Sequence, residues 1–253
     1  WGLRLSVGFF VATVAFGVVY AFDRTAAWFP LYAHRVLAHA HLGLLGWLGL
    51  TYVSVAEKLW PMFLLAHRPT NRSGPAAVGL LASGVVLLTP GLLFPVPALA
   101  WVGGIVAAGG LAAHLVSLAA NVRHRRRPLE LLHVFLFASS GFLVAAVVLG
   151  ALAGGADVAP TIRTRFVTAE VVALTGWLTL AVVGHAHKIV PFIGYGALRA
   201  QGVSTGPGGR PLLFGDLFSP RLARLSFAAT AAGLVLLLAG VLAASPELVA
   251  SGG

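Results

Sequence analysis

The side chains in this sequence best suited to chemistry are histidines that stand inside apolar runs. Two pairs have a single residue between them: His39 and His41 in "LAHAHLGLLGWLGL", and His185 and His187 in "VVGHAHKIVPF". Imidazole is costly to place in an apolar environment, so such residues are candidates for a functional site. The chain contains no cysteine. Any bound metal would therefore take nitrogen or oxygen ligands, and histidine is the most suitable source.

Four histidines are expected to lie at a similar depth, near the cytoplasmic side of a membrane. They are His114, His133, His185 and His187. Two imidazoles from facing helices are the usual ligands of a b-type haem, and three would suit copper, zinc or iron. The alternative is that His133 and His187 reach the cytoplasmic surface beside Arg127, Glu130 and Lys188. His114 has no charged or strongly polar neighbour in "GGLAAHLVSLAA", which favours a ligand role.

His39 and His41 are expected near the outer end of the second helix. At about 100° per residue their side chains point some 200° apart, so they cannot both face one partner. Together with His114 and His185, they are the predicted ligands of a haem iron or of copper. Arg35 and Glu170 are candidates to orient such a ligand. Glu170 has two alternative roles, a charge pair with Arg163 or Arg35 and a proton relay.

The amino-acid composition indicates the environment that surrounds these histidines. Hydrophobic residues make up 58% of the 253 residues and charged residues only 9%, with a mean hydropathy of +0.93. A soluble domain carries roughly 25% charged residues, so we expect an all-α integral membrane protein. The net charge of +10 is attributed to basic loops facing anionic lipid, and no nucleic-acid partner is expected.

Apolar runs of about 20 residues predict seven transmembrane helices. They are placed near 3–22, 36–57, 75–95, 98–121, 129–152, 166–187 and 222–244. Basic residues concentrate in alternate loops, above all in "NVRHRRRP", which predicts a cytoplasmic N-terminus and an outer C-terminus. The first run lacks a small-residue cleavage site, so it is interpreted as a retained helix. We expect a multi-pass protein of a bacterial-type inner (plasma) membrane.

Two segments of the chain resemble each other. "GWLGLTYVSVAEKLWPMF" (46–63) and "GWLTLAVVGHAHKIVPFI" (176–193) are identical at eight of eighteen positions without gaps. We interpret them as parts of a parallel internal repeat within one polytopic domain, 1–253. Repeat A would cover about 1–97, a connector helix 98–122, and repeat B about 128–246. The alternative is coincidence, because membrane helices often end in a basic residue and a proline.

At "RVLAHAHLGLLGWLGL" the sequence resembles subunit I of the haem–copper oxidase superfamily, especially short relatives of the cbb3-type enzymes. The resemblance implies that Arg35 is followed by a ligand of a low-spin haem, either His39 or His41. It also implies haem b as cofactor. The chain departs from the family in having fewer helices. It also lacks the adjacent histidine pair and the His-to-Tyr spacing of four that build the family's copper site, so oxygen reduction by this chain alone is not expected.

These observations lead to one main functional expectation and two alternatives. The main one is a haem-binding membrane subunit that transfers electrons or handles O2 or NO in a respiratory redox complex, as a non-catalytic part of an oxidoreductase. Its expected partners are lipid, other subunits or a second copy of the chain, and quinol. The alternatives are a copper, zinc or small-solute carrier or assembly factor, and a structural anchor of a larger complex.

Overall fold

The protein consists of long apolar helices. A computed structural model describes residues 1–28, 35–66, 72–155 and 157–244. Among them, seven helices are long and apolar enough to cross a membrane. They are α1 (Gly2–Ala26), α2 (Arg35–Leu64), α3 (Ser73–Leu93), α4 (Pro97–Arg123), α5 (Leu131–Ala153), α6 (Pro160–Ala200) and α7 (Pro220–Ala243). The predicted all-α membrane fold with seven helices is confirmed, and the chain is a multi-pass membrane protein. His34 and His67 lie outside the described residues.

Two helices continue through a proline well past their predicted ends. α2 continues through Pro61 to Leu64, and α6 continues through Pro191 to Ala200. A proline lacks one N–H donor and bends a helix, but it does not end a helix whose other turns are held in place by packing. The predicted ends near 57 and 187 were therefore too early.

The described chain divides into two compact units. The first unit comprises Trp1–Pro128 with Gly154–Ala156 and contains α1 to α4. The second unit comprises Leu129–Ala153 with Asp157–Gly253 and contains α5 to α7. The single polytopic domain and the parallel repeat stay predictions.

In the first unit, α3 and α4 pack through glycines with almost no side chain between them. A Cβ atom on Gly84 would overlap the backbone of Ala107, and one on Gly103 would overlap the backbone of Leu88. Lipid tails are as apolar as leucine, so van der Waals contact at close range is a main source of helix association in a membrane. The glycines let the two backbones reach that range.

An eight-residue π-helical segment, Leu42–Gly49, interrupts α2 directly after His41. A π-helix bonds each N–H to the carbonyl five residues back and is rare in proteins, where it often marks a functional site. Within this segment Gly46 lies against the ring of Phe9 on α1. The wider backbone therefore packs closely on its neighbour and at the same time resets the direction in which the following residues of α2 point.

The basic segment after α4 is attached to the end of α2. The backbone N–H groups of Arg126 and Arg127 donate to the carbonyl of Leu64, at 3.0 and 3.3 Å. This carbonyl belongs to the last turn of the helix, where no intrahelical donor remains. The side predicted to be cytoplasmic therefore joins two helix ends of the first unit by main-chain hydrogen bonds.

In the second unit, α5 and α6 pack through side chains placed over glycines. Gly184 lies against Phe135, and Gly176 lies against Phe142. The hydroxyl of Ser139 on α5 donates to the carbonyl of Trp177 on α6, at 2.8 Å. This hydrogen bond between helices satisfies a polar side chain that is 1% exposed, as the apolar surroundings require.

The loop between α6 and α7 is rich in glycine and proline. Arg210 forms an ion pair with Asp216, and the backbone N–H of Leu213 donates to Asp216 Oδ2 at 2.8 Å. These two interactions, that with Arg210 first, lower the pKa of the Asp216 carboxyl below its ordinary value of 3.8. The ionised carboxylate thus holds the middle of the loop together.

Candidate histidine sites

Among the described residues, the most deeply buried histidine is His114 on α4, whose solvent exposure is 0%. Its Nδ1 lies 3.6 Å from Oε1 of Glu57 on α2, a distance within ion-pair range but too long for a hydrogen bond. The ring of Tyr52 packs edge-on against the imidazole, with 5.5 Å between ring centroids. A carboxylate and an imidazole from two transmembrane helices therefore meet in the interior of the first unit.

The Glu57 carboxylate is held in place from two further directions. The hydroxyl of Ser117 donates to Glu57 Oε2 at 2.9 Å. On the other side Gly74, at the start of α3, lies directly against the carboxylate, and a Cβ there would overlap it. Ser117 and His114 share one face of α4 because they are three residues apart. Both oxygen atoms of the Glu57 carboxylate thus face groups of the first unit.

The imidazole of His114 lacks a hydrogen bond within the described ranges, at Nδ1 as well as at Nε2. A buried polar group left without a hydrogen bond costs roughly 1–3 kcal/mol. A carboxylate next to one ring nitrogen is also the arrangement that orients histidines for metal binding through the other nitrogen. The residues present therefore fit a metal or haem iron at Nε2, with Glu57 fixing the ring.

Sequence reasoning missed Glu57. An acidic residue inside an apolar helix was the available signal, since such residues are functional candidates. It was overlooked because the helix was predicted to end at residue 57, which placed Glu57 and Lys58 at a charged boundary. The helix runs on to Leu64, so Glu57 lies about two turns inside it.

The second buried histidine of the first unit is His41, which is 4% exposed. Its Nδ1 lies 2.9 Å from the carbonyl oxygen of Leu37. A carbonyl only accepts, so Nδ1 carries the proton and the lone pair is on Nε2. His39 has different surroundings, because its ring lies over Gly17 and packs edge-on with Phe16 of α1 at 5.5 Å.

Arg35 joins the start of α2 to the end of α1. Its Nη1 donates to Oδ2 of Asp23 at 3.0 Å, and its guanidinium carbon lies 4.3 Å from the centroid of the Tyr20 ring. Asp23 is 6% exposed, so the charge pair is largely shielded from water. Asp23 was not singled out from the sequence, although an acidic residue at the end of an apolar run is a natural partner for the next arginine.

His41 and His114 belong to different levels of the first unit. His114 is in contact with Glu57, which lies sixteen residues after His41 on α2. At about 1.5 Å per residue the two levels are roughly 20–24 Å apart. A histidine nitrogen must lie about 2 Å from the metal it binds. The two imidazoles therefore cannot serve as ligands on opposite faces of one haem.

In the second unit, His185 on α6 shows the same local arrangement as His41. It is 7% exposed, and its Nδ1 lies 2.7 Å from the carbonyl oxygen of Ala181, which leaves the lone pair on Nε2. The exposed His124 makes an equivalent bond to Ala120 at 2.8 Å. The bond to the preceding turn is thus common to helical histidines, and burial is what distinguishes His41 and His185.

The side chain of His133 caps the start of α5. The backbone N–H of Glu130 donates to His133 Nδ1 at 2.7 Å. A side chain in the third helical position that accepts from the residue before the helix is one half of a capping box. This bond uses Nδ1 as an acceptor, which makes His133 a helix-capping residue in this structure. The carbonyl oxygen of Glu130 also lies near this nitrogen, at 3.1 Å.

His187 stands between two phenylalanine rings of the second unit. The centroids of Phe135 and Phe218 lie 5.1 and 6.1 Å from that of the imidazole. Its buried Nε2 has no hydrogen-bond partner in the part of the chain that the structure describes. The neighbouring Lys188 forms an ion pair with Glu130.

Glu170 on α6 packs against α5 at Gly150, where a Cβ would overlap the carboxylate. The absence of a side chain on Gly150 thus gives room to a charged group that is partly exposed. Its suggested part in orienting a ligand stays a prediction, as does the suggested pairing with Arg163.

The predicted group of four inner histidines draws on both units. His114 belongs to the first, while His133, His185 and His187 belong to the second. Within the described ranges, no three His, Asp or Glu side chains are arranged to hold a metal ion together. No protein-family model, curated protein or solved structure matches the chain.

Proposed function

We propose that the chain is a haem-binding subunit of a membrane redox complex, which transfers electrons or binds a small gas such as O2 or NO. The observation that carries this proposal is the buried His114 imidazole, which faces Glu57 and has no hydrogen bond in the described ranges. Iron at Nε2 would satisfy the ring. Glu57 would fix its orientation and make it a stronger ligand.

His41 supports a second ligand position at the other level of the first unit. The hydrogen bond from its Nδ1 to Leu37 fixes the ring and leaves the lone pair on Nε2, and the resemblance to oxidase subunit I assigns a haem ligand to this region. A bound haem supplies reversible one-electron chemistry and, with an open position, gas binding. Two levels along α2 would suit electron transfer in the direction of the membrane normal.

The chain's own residues would supply ligation, orientation and exclusion of water. His114 and His41 would bind, and Glu57 would hold the His114 ring through the contact at Nδ1. Arg35, paired with Asp23, would keep the start of α2 against α1 near His41. A dry, apolar surrounding strengthens each of these electrostatic interactions.

The setting proposed for this function is a bacterial inner membrane with the N-terminus in the cytoplasm. Basic loops on alternate sides of the helices support that orientation. The electron donor would be quinol or another subunit, and the acceptor a further subunit or a second copy of this chain. The apolar outer surface is compatible with lipid and with such subunits.

An absorption spectrum of the full chain, purified from haem-supplemented cells, tests the proposal. We expect a Soret band and, after reduction with dithionite, the α band of a b-type haem. His114→Ala should remove one haem equivalent from this spectrum. Added imidazole should restore that equivalent, because it can occupy the space of the deleted ring. His124→Ala is the control, since it deletes an exposed imidazole directly after the same helix.

Three outcomes would contradict the proposal. A folded, colourless and iron-free preparation would exclude haem. Stoichiometric copper or zinc without haem would favour the carrier alternative. An unchanged spectrum in both His114→Ala and His41→Ala would exclude both histidines as ligands, and thermal unfolding of each variant would show that it is folded.

A further inference from the structure

The second unit contains a cavity beside the second half of α6. Its volume is about 250 Å³. Its walls are formed by Glu130, Leu131, Leu132, His187, Lys188, Phe214 and Phe218. α6 has 41 residues, about twice the number needed to span a bilayer. Lys188 follows the most apolar part of α6, and Glu130 directly precedes α5. These two charged residues place the cavity near the membrane surface.

The cavity combines apolar walls with one imidazole. Leu132, Phe214 and Phe218 provide the apolar surface, and His187 is the polar side chain of the lining besides the ion pair of Glu130 and Lys188. An imidazole ring has one nitrogen that donates and one that accepts a hydrogen bond. The expected occupant therefore carries a hydrogen-bonding group on an apolar body.

The charges at the cavity favour a neutral occupant. Glu130 and Lys188 both line it, and they form an ion pair with each other. The carboxylate thereby balances the ammonium group, so an anionic headgroup would find no net positive charge from this pair. A volume of 250 Å³ lies just below the range of roughly 300–1,000 Å³ for drug-sized ligands, which suits a single substituted ring.

We propose that this cavity binds the headgroup ring of a membrane quinone or quinol, with His187 hydrogen-bonded to one ring oxygen and the phenylalanines against the ring face. An imidazole nitrogen can accept from a quinol hydroxyl or donate to a quinone carbonyl. The site lies near the membrane surface, where an isoprenoid tail can remain in lipid. Binding of the ring does not require haem, and only its use as the electron donor rests on the proposed function.

Photolabelling tests the proposal in the full chain, reconstituted in nanodiscs of phosphatidylethanolamine and phosphatidylglycerol. An azidoquinone should label peptides that contain residues 130–132 or 214–218, and excess decylubiquinone should block the label. His187→Phe, which removes the hydrogen bond, should weaken competition by decylubiquinone roughly tenfold. Leu131→Trp, which fills the cavity, should abolish labelling. Phe192→Ala is the matched control on α6, because Phe192 is 69% exposed and does not line the cavity.

Labelling confined to other peptides would overturn the proposal, as would unchanged affinity in both cavity variants. A stoichiometric phospholipid, seen by native mass spectrometry and not displaced by decylubiquinone, would also overturn it in favour of a lipid site. Thermal unfolding shows whether each variant is folded. A haem-free protein that still binds quinone at residues 130–132 would contradict the haem proposal alone.

Discussion

Glu57 and His187 occupy the same position in two similar segments, 46–63 and 176–193, and each is followed by a lysine. Their surroundings differ. Glu57 is enclosed by three helices of the first unit and reaches the imidazole of His114. His187 lines a cavity and stands between Phe135 and Phe218. Position in a similar segment therefore does not decide the role of a residue, because the role depends on the side chains that neighbouring helices bring to it.

The two units also differ in how their glycines are used. In the α3–α4 pair, glycines face backbone atoms of the other helix, as Gly103 faces Leu88. In the α5–α6 pair, they face side chains, as Gly176 faces Phe142. A side chain can move to admit a methyl group, whereas the backbone of a packed helix cannot. We expect the first unit to be the less tolerant of added volume.

The largest expected effect is that of Gly103→Ala. The added methyl group would overlap the backbone of Leu88, so we expect a loss of stability of roughly 3 kcal/mol. Gly176→Ala should cost about 1 kcal/mol, because the Phe142 ring can shift. Gly104→Ala is the control, since nothing lies within 4 Å of its Cβ. Thermal unfolding in detergent measures all three. Equal losses for Gly103→Ala and Gly176→Ala would remove the contrast between the units.

The second prediction concerns the contact between Glu57 and His114. Glu57→Leu leaves His114 without its carboxylate, and we expect a loss of roughly 2 kcal/mol. In Glu57→Leu/His114→Leu the second substitution should restore about 1–2 kcal/mol of this loss, because both polar groups are then gone. A double-mutant cycle by thermal unfolding gives this coupling energy. Strict additivity of the two single losses would show that the contact at 3.6 Å contributes nothing to stability.

The third prediction, of a smaller effect, compares the stability losses that result from replacing two histidines of the second unit. His133→Ala removes the acceptor for the Glu130 N–H at the start of α5 and should cost about 1 kcal/mol, as lost helix caps do. His187→Phe removes no hydrogen bond seen in the described residues and should change stability by less than about 0.5 kcal/mol. Chemical or thermal unfolding compares them. A larger loss in His187→Phe than in His133→Ala would reverse the assigned roles.

The smallest effect is expected in the loop after α6 and depends on pH. The ion pair with Arg210 lowers the pKa of the Asp216 carboxyl in the folded protein. Its stabilisation of the loop is therefore complete when the pH is above the ordinary pKa, and it is lost as the pH falls through the lowered pKa. Deuterium uptake of the peptide covering 203–219, corrected for intrinsic exchange, should rise as the pH is lowered below about 4. In Asp216→Asn the uptake should be high throughout. Equal profiles of the two proteins would contradict the prediction.

Hydropathy and charge were sufficient to predict the membrane fold. Segments of about 20 apolar residues must form helices in lipid, since every backbone group there needs a partner within its own segment. This rule allowed all seven helices to be predicted from the sequence. It did not predict the residues at which the helices end. Prolines 61 and 191 and the charges before them resemble boundaries, and only the packing of the surrounding turns keeps the helices intact.

The sequence by itself also identified the histidines as the residues to consider, because an imidazole in an apolar run has a cost that needs a reason. It could not show which of them is buried beside a carboxylate. The contact between His114 and Glu57 joins residues 57 positions apart in the chain, and it depends on the glycine-mediated approach of α3 and α4 and on the course of α2. Likewise, the capping role of His133 and the cavity at His187 depend on distances between atoms of separate segments. Only the tertiary structure decides those distances.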